Sequence, residues 1–313
     1  MVTIRAAAAV VLLVLSGCAA DPAQQAGPSA SSAPASTSST PAAGDAVVVL
    51  VGAGDIASCA STDDTRTAAL LDTIPGEVFT LGDNAYNNGT PQEFADCYGP
   101  TWGRHRGRTH PVIGNHEYNT PDARGYFDYF GAAAGRPGEG WYSYDAGSWH
   151  VVVLNSNCDA VQGGCRAGSP QERWLRADLA AAARRTRCTV AMWHHPLFTS
   201  SAAHGPTPEV RPLFRALYDA GVEALLTGHN HQYERFAPQT PAGARDDRRG
   251  VRQFVVGTGG GGPYGFREPA ANSEVRRSGT PGVLRLTLGA DAYEWEFVPV
   301  TPAAADSGRG TCR

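Results

Sequence analysis

The sequence predicts an α/β (α+β) fold in which two packed, mixed β-sheets are flanked by helices. Apolar runs of strand length alternate with capped helical segments over the first two-thirds of the domain, and strand-like runs dominate the remainder. The region from residue 46 to residue 300 has no internal repeat and no second linker, so its roughly 255 residues are expected to share one core. An alternation of strands and helices that is followed by strands alone is typical of mixed sheets covered by helices.

Eight apolar runs are predicted to be strands. They are rich in Val, Leu and other apolar residues, and turn-forming residues separate them. They are Val47–Val51, Val78–Leu81, Val151–Leu154, Thr189–Trp193, Ala224–Leu226, Gln253–Val256, Val283–Leu288 and Tyr293–Val298.

Three segments carry the start and stop signals of helices. Ser169–Glu172 reads Ser-Pro-Gln-Glu, a capping box with Pro at the first helical position. A glycine that follows a segment with helical apolar periodicity indicates the end of a helix, and so does the pair Pro-Gly. The predicted helices run from Ser169 through Leu179, from about Pro212 to Gly221, and from about Thr62 through Leu71 up to Pro75.

The first 45 residues are predicted to lie outside the folded domain. Ala6–Leu15, after the basic Arg5, is an apolar stretch of signal-peptide length that is too short to span a bilayer as a helix. Leu15–Cys18 resembles the lipobox of bacterial lipoproteins, and a plain secretory signal is the alternative. Residues 19–45 have the composition of a disordered linker. We expect an exported protein, either lipid-anchored through Cys18 to the outer face of the bacterial cell membrane or secreted, with a folded domain over 46–300 and a tail over 301–313.

Composition excludes several kinds of chemistry. All 26 basic residues are Arg, so Schiff-base and P-loop lysines are excluded. The net charge is −4 and no basic stripe with interleaved aromatics occurs, so nucleic-acid binding is not indicated. Apart from Cys18 the cysteines are even in number, which in an exported protein predicts disulfides, with the pairing left open. They are Cys59, Cys97, Cys158, Cys165, Cys188 and Cys312.

Polar turns follow four of the predicted strands and the short apolar segment Pro111-Val112-Ile113. Ligand sites of α/β sheets lie beyond the carboxyl ends of strands, so side chains in such turns are candidates for a common site. Each turn alone has an ordinary structural explanation, but five of them in succession are hard to explain as turns alone. The turns carry Asp55, Gly82-Asp83-Asn84-Ala85-Tyr86, Gly114-Asn115-His116-Glu117, His194-His195-Pro196 and Gly228-His229-Asn230-His231.

This series of turns resembles the calcineurin-like metallophosphoesterases. The motifs occur in that family's order across residues 55–231, and Tyr86, three residues after Asp83, more narrowly resembles the purple acid phosphatases. The resemblance implies a four-layer αββα sandwich. It also implies a metal-dependent phosphoric ester hydrolase, acid-phosphatase-like, that acts on small phosphomonoesters. A phosphodiesterase on the same site is the alternative, and a non-catalytic lipoprotein that binds phosphate or cell-wall polymer is a further one.

The resemblance also implies two metal ions, Fe(III) together with Fe(II), Zn or Mn. A phenolate and carboxylates are hard donors suited to Fe(III), whereas an amide and two imidazoles suit a divalent ion. The first ion would take Asp55, Tyr86 and His231, the second would take Asn115, His194 and His229, and Asp83 would bridge them.

Two histidines are predicted to act on the substrate. His116 directly follows a ligand and is placed to protonate the leaving alkoxide or to bind phosphate, with Glu117 orienting it. His204 lies on the loop after the strand of His194, where the family often has a histidine that faces substrate, and a plain surface loop is the alternative.

Three other histidines lie outside this ligand set. His195 is left open between support of the neighbouring ligand and core packing. His110 and His150 are predicted to be structural.

A rival interpretation concerns the glycines after the first strand. Gly52–Ala57 matches the G-x-G-x-x-A fingerprint of a dinucleotide-binding turn. Such a turn should run straight into a helix, but the best helix cap lies only at Ser61 or Thr62. The loop Gly257–Gly265 lacks the lysine of a phosphate loop and is instead predicted to be a tight loop passing near the site. Asp55 is therefore interpreted as a metal ligand.

Overall fold

The computed structural model describes residues 47–302 and 305–313, and the predicted signal segment and linker lie outside these residues. The helices α1 to α5 are Asp63–Thr73, Pro91–Glu93, Arg124–Phe130, Pro170–Ala182 and Arg211–Ala220. The strands β1 to β13 are Val48–Ala53, Glu77–Thr80, Thr109–His110, Tyr142–Ala146, Trp149–Val153, Cys188–Met192, Ala224–Thr227, Tyr233–Phe236, Arg252–Val256, Ser273–Arg277, Gly282–Leu288, Ala292–Pro299 and Asp306–Thr311.

The strands form two mixed sheets, as predicted. One has six strands in the order β13-β12-β11-β1-β2-β3, and the other has seven in the order β10-β8-β9-β7-β6-β5-β4. Strands β1, β2 and β3 run parallel in the first sheet, and β5, β6, β7 and β9 run parallel in the second. The polar turns identified in the sequence follow these parallel strands.

Apolar side chains alternate between two sides of the seven-stranded sheet because successive residues of a strand point to opposite faces. Val151 and Val153 of β5 belong to a cluster that also contains residues of the six-stranded sheet, so this cluster joins the two sheets. Val152 and Leu154 belong instead to a second cluster with the apolar residues of α4 and α5. Burial on both faces explains the continuous apolar run of β5.

The helix signals in the sequence have identifiable partners. Ser169 Oγ accepts a hydrogen bond from the Glu172 backbone N–H at 3.2 Å, which caps the first turn of α4. The Glu172 carboxylate accepts instead from the Gly168 N–H, one residue before the cap, so the predicted capping box is only half formed. Gly221 ends α5 in the left-handed conformation with φ of 78°.

Asp306–Thr311 form a strand of the fold, which corrects the expected tail over 301–313. Strand β13 pairs antiparallel with β12 at the edge of the six-stranded sheet. Asp306 accepts hydrogen bonds from Tyr233 Oη at 2.7 Å and Arg235 Nε at 2.8 Å, both on β8 of the other sheet. These bonds give a polar Asp-Ser-Gly-Arg segment enough partners to form a strand.

The six cysteines of the described residues form disulfides, as predicted. The pairs are Cys59–Cys97, Cys158–Cys165 and Cys188–Cys312. The last joins the first residue of β6 to the residue after β13, so it links the two sheets covalently. Within the described residues, no helix is both long and apolar enough to cross a membrane.

Candidate metal centre

Two carboxylates reach the centre on tight turns after β1 and β2. Asp55 and Asp83 are 0% and 2% exposed, and both adopt left-handed backbone conformations with φ of 60° and 50°. The turns are bound to each other because the Asp55 N–H donates to Gly82 O at 2.9 Å. A left-handed non-glycine residue costs about 1–3 kcal/mol, and such strain is found most often at functional sites.

Tyr86 completes one half of the centre. Its Oη lies 3.0 Å from Asp55 Oδ1, 3.3 Å from Asp83 Oδ2 and 3.0 Å from His231 Nε2. His231 Nδ1 donates to Gly262 O at 2.7 Å, which leaves the lone pair of Nε2 directed at the carboxylates. The residues predicted for the first metal therefore have their donor atoms in one place.

The other half contains an amide and two imidazoles. Asn115 Oδ1 lies 3.0 Å from His194 Nε2 and 3.0 Å from His229 Nδ1. His194 Nδ1 donates a hydrogen bond to Leu81 O at 2.7 Å, so Nε2 is the ring nitrogen whose lone pair can bind a metal. Asp83 Oδ2 is 3.3 Å from that Nε2 and also contacts Tyr86, so this one carboxylate faces both halves.

The charges of the centre fit bound cations. Within 47–302 and 305–313, the ion pairs of Asp55 and Asp83 are with histidines and with no arginine. Burial opposes a charge on His194, but Asp83 outweighs it and raises the pKa of His194 to about 9. Burial together with Asp55 and Asp83 raises the pKa of Tyr86 well above its usual value. Buried anionic and lone-pair donors that converge in this way are typical of metal sites, because a cation balances their charge.

Glu117 has a different position from the one predicted. It was expected to orient His116, but its carboxylate accepts backbone N–H bonds from Gly114 at 2.7 Å and Asn84 at 2.7 Å, and from Asp83 at 3.1 Å. Burial and the neighbouring Asp83 raise its pKa to about 7. Glu117 therefore joins the turn of Asp83 to the turn of Asn115. A buried acid two residues after a ligand signals a supporting role, but its partners cannot be read from the sequence.

His116 and His204 lie on the open side of the centre. His116 Nδ1 lies 2.6 Å from Asn87 O, and its Nε2 is 3.8 Å from Asp83 Oδ2. The His204 ring is exposed and its centroid is 4.5 Å from that of His229. Both histidines therefore lie beside the centre.

The other histidines have separate surroundings. His195 Nδ1 lies 2.9 Å from Ser156 Oγ, and its ring centroid is 4.4 Å from that of His229. His195 therefore adjoins the centre and is not enclosed in a core. His110 stacks on Tyr144 with centroids 3.7 Å apart, and the buried His150 ring lies between Asp145 and Asp178.

The glycine-rich loop supports the centre through its backbone. The Gly259 N–H donates to Gly54 O at 2.9 Å and the Gly261 N–H donates to Asp55 O at 2.8 Å. A Cβ on Gly261 would lie 2.8 Å from His231 Nδ1, so a larger residue does not fit there. The loop passes near the site as predicted, and α1 begins only at Asp63, so the glycines after β1 do not open a dinucleotide-binding helix.

Tyr264, at the end of this loop, was missed in the sequence. Its ring stacks on His231 with centroids 4.1 Å apart and planes 12° apart, and it meets the edge of His204 at 5.3 Å. An aromatic residue among glycines is the only signal that marks it. Tyr264 and His204 form one side of the opening of the centre.

Comparison with known proteins identifies the family of this chain. The family model for calcineurin-like phosphoesterases matches residues 49–233. The chain belongs to the calcineurin-like phosphoesterase family. Within it, purple acid phosphatase 22 of Arabidopsis thaliana is 32% identical over 165 residues, which cover 50% of this chain and 36% of that protein. The chain thus spans about a third of the length of the curated relatives it matches first.

Solved structures show the same phosphoesterase fold. Purple acid phosphatase PPD1 from yellow lupin (Lupinus luteus) seeds has a TM-score of 0.70 at 18% identity, covering 85% of this chain and 54% of that one. GAP50, the anchor in the inner membrane complex of Plasmodium, has a TM-score of 0.66 at 12% identity, covering 85% of this chain and 89% of that one. These likenesses confirm the predicted arrangement of two mixed sheets flanked by helices.

Proposed function

We propose that this protein is an exported dimetal phosphatase that hydrolyses phosphomonoesters. The observation that carries the proposal is the convergence of two carboxylates, a phenol, an amide and three imidazoles at the carboxyl ends of parallel strands. Membership of the phosphoesterase family and the similarity to purple acid phosphatases support it.

Seven side chains would hold the metals. The phenol and carboxylate half suits Fe(III), and the amide and imidazole half suits Fe(II), Zn or Mn. The metals, when bound, would supply Lewis acidity for in-line displacement at phosphorus and a nucleophile from water at neutral or acidic pH. The first set is Asp55, Tyr86 and His231, the second is Asn115, His194 and His229, and Asp83 is shared.

The remaining roles fall to the histidines on the open side. The Asn87 carbonyl holds His116 by Nδ1, so its Nε2 is the nitrogen that can protonate the leaving oxygen of the ester. His204, beside His229, would donate a hydrogen bond to an oxygen of the phosphoryl group. Tyr264 contacts His204 in an edge-to-face arrangement.

Export is part of the proposal. Disulfides persist in oxidising compartments, and three are formed in the folded domain. The lipobox-like Leu15–Cys18 would supply a lipid anchor at Cys18, and residues 19–45 would hold the catalytic domain away from the membrane surface. The catalytic domain would then extend from about residue 46 to the end of β13.

The test combines metal analysis with two substrates. Purified protein should contain about two metal ions per chain, including iron. It should cleave p-nitrophenyl phosphate faster than bis(p-nitrophenyl) phosphate, and a chelator should abolish both activities. A folded, active and metal-free preparation would contradict the dimetal proposal, and preference for the diester would identify a phosphodiesterase instead.

A further inference from the structure

A cavity of about 350 Å³ opens next to the metal centre and has no part in the roles assigned above. Asn115 and His195 form the wall that it shares with the centre, and Ser156, Asn157 and Thr207 are polar residues farther along it. The volume lies in the range of small-molecule sites, about 300–1,000 Å³. A phosphoryl group at the centre would therefore have room beside it for the alcohol part of the ester.

His195 lines this cavity and has one unused polar atom. Its Nδ1 is engaged with Ser156 Oγ at 2.9 Å, and the Ser156 hydroxyl also accepts the His195 backbone N–H at 2.9 Å, so the ring is held in place. Among residues 47–302 and 305–313, no group hydrogen-bonds to His195 Nε2. A fixed imidazole with one free nitrogen in the cavity wall is suited to bind a polar group of a ligand.

The charged residues that line the cavity are both acidic. Asp159, on the loop closed by the Cys158–Cys165 disulfide, and Glu209, just before α5, are exposed and face the same space. Neither forms an ion pair within the part of the chain that the structure describes. No arginine is found among the described residues that line this cavity; Arg166 lines an adjoining cavity, which Asp159 and Glu209 also line, but it forms no ion pair with either carboxylate. The two carboxylates therefore lack a counter-ion that a ligand with an ammonium group would supply.

We propose that this cavity is the subsite for the alcohol part of the substrate and that it selects amino alcohols, so that the preferred esters are monophosphates with an ammonium group near the ester oxygen. This inference rests on the proposed phosphatase function. The polar wall, with His195 Nε2 and Asn157, binds the alcohol, while Asp159 and Glu209 attract the ammonium group and repel a second anionic group.

The test compares three esters of similar size and different charge. These are 2-aminoethyl phosphate, n-propyl phosphate and phosphoglycolate, whose non-phosphate ends are cationic, neutral and anionic. The kcat/KM should fall in that order, by about tenfold between the first two, as expected from about 1.4 kcal/mol of electrostatic selection. In the double variant Asp159→Asn/Glu209→Gln, the ratio of kcat/KM for the cationic ester to that for the neutral ester should fall close to one.

The ratio is measured within each variant, so a general loss of activity or of folded protein cancels. The control is Glu294→Gln, which neutralises an exposed carboxylate on β12 and should leave the ratio unchanged. A wild-type ratio near one, a preference for phosphoglycolate, or an unchanged ratio in the double variant would overturn the inference. Loss of all activity on p-nitrophenyl phosphate by the wild type would instead overturn the phosphatase proposal itself.

Discussion

The His150 cluster gives a stability prediction that is independent of the metal centre. The His150 ring is fully buried between Asp145 Oδ1, 2.8 Å from Nδ1, and Asp178 Oδ2, 2.7 Å from Nε2. Burial disfavours the charged ring, but hydrogen bonds to Asp178 and Asp145 outweigh it and raise the pKa of His150 above the usual 6.5. Asp145 also pairs with Arg185 at 2.8 Å, so replacing Asp178 removes an ion pair with His150 alone.

Replacing Asp178 with Asn should lower the free energy of unfolding by about 2 kcal/mol, since a hydrogen bond between charged groups contributes about 1.5–3 kcal/mol. The amide oxygen can still accept from Ser143 Oγ, which donates to Asp178 at 2.9 Å, so little else is lost. For a domain of this size, a loss of about 2 kcal/mol lowers Tm by about 4–8 °C.

The sign of the pH dependence follows from linkage. The folded pKa of His150 is raised, so the stabilisation is fully present below the unfolded value of 6.5 and is lost as the pH rises through the folded value. Thermal unfolding of Asp178→Asn should therefore differ from wild type more at about pH 5.5 than at about pH 9.

Asp219→Asn is the matched control, because its partner Arg176 lies 3.2 Å away and both side chains are 44% exposed. That change should cost less than about 1 kcal/mol. An equal loss of Tm for Asp178→Asn at both pH values would refute the argument that a charged His150 stabilises the fold.

Three further predictions concern the metal centre. Asp83→Ala should lose both metals and activity, because Asp83 faces both halves of the centre; retention of either ion by elemental analysis would contradict a bridging role. If Tyr86 binds Fe(III), the oxidised protein should be purple and Tyr86→Phe should lose the visible band; an iron-loaded Tyr86→Phe with an unchanged spectrum would exclude that ligand. His116→Asn should keep both metals and slow alkyl phosphates by about 10²–10⁴-fold, with a smaller effect on nitrophenyl phosphate, whose leaving group needs no proton. Equal losses on the two substrates would indicate phosphate binding, and loss of a metal would show that His116 is a ligand.

The sequence was most informative where local chemistry decides the structure. The strand of Val151–Leu154 was identified because burial on both faces requires a continuous apolar run. The turns of Asp55 and Asp83 were identified because they belong to a succession of five polar turns at strand ends, which turn formation alone does not explain. Strands β8, β10 and β13 were not identified, because Tyr-Glu-Arg-Phe, Ser-Glu-Val-Arg-Arg and Asp-Ser-Gly-Arg-Gly-Thr carry no strong apolar pattern.

The contacts that surround the predicted ligands could not be predicted from the sequence either. Glu117 supports two turns through backbone N–H groups, and such partners depend on how the turns approach each other in space. Tyr264 contacts His231 only because the glycine-rich loop folds back over Asp55. The cavity beside His195 needs the disulfide loop and the start of α5 to meet, although they are far apart along the chain.

The bond between Cys188 and Cys312 has a consequence for how the protein should be produced. Without it, β13 would be held by its pairing with β12 and by Asp306, and peeling of this last strand would uncover β12 with Trp295 and Phe297. An uncovered strand edge bearing large apolar side chains is a template for intermolecular pairing. Protein made in a reducing cytosol is therefore expected to aggregate during purification, whereas protein folded in an oxidising compartment should remain monodisperse. Size-exclusion chromatography of the two preparations would measure the difference. Cys312→Ser made in the oxidising host would serve for comparison.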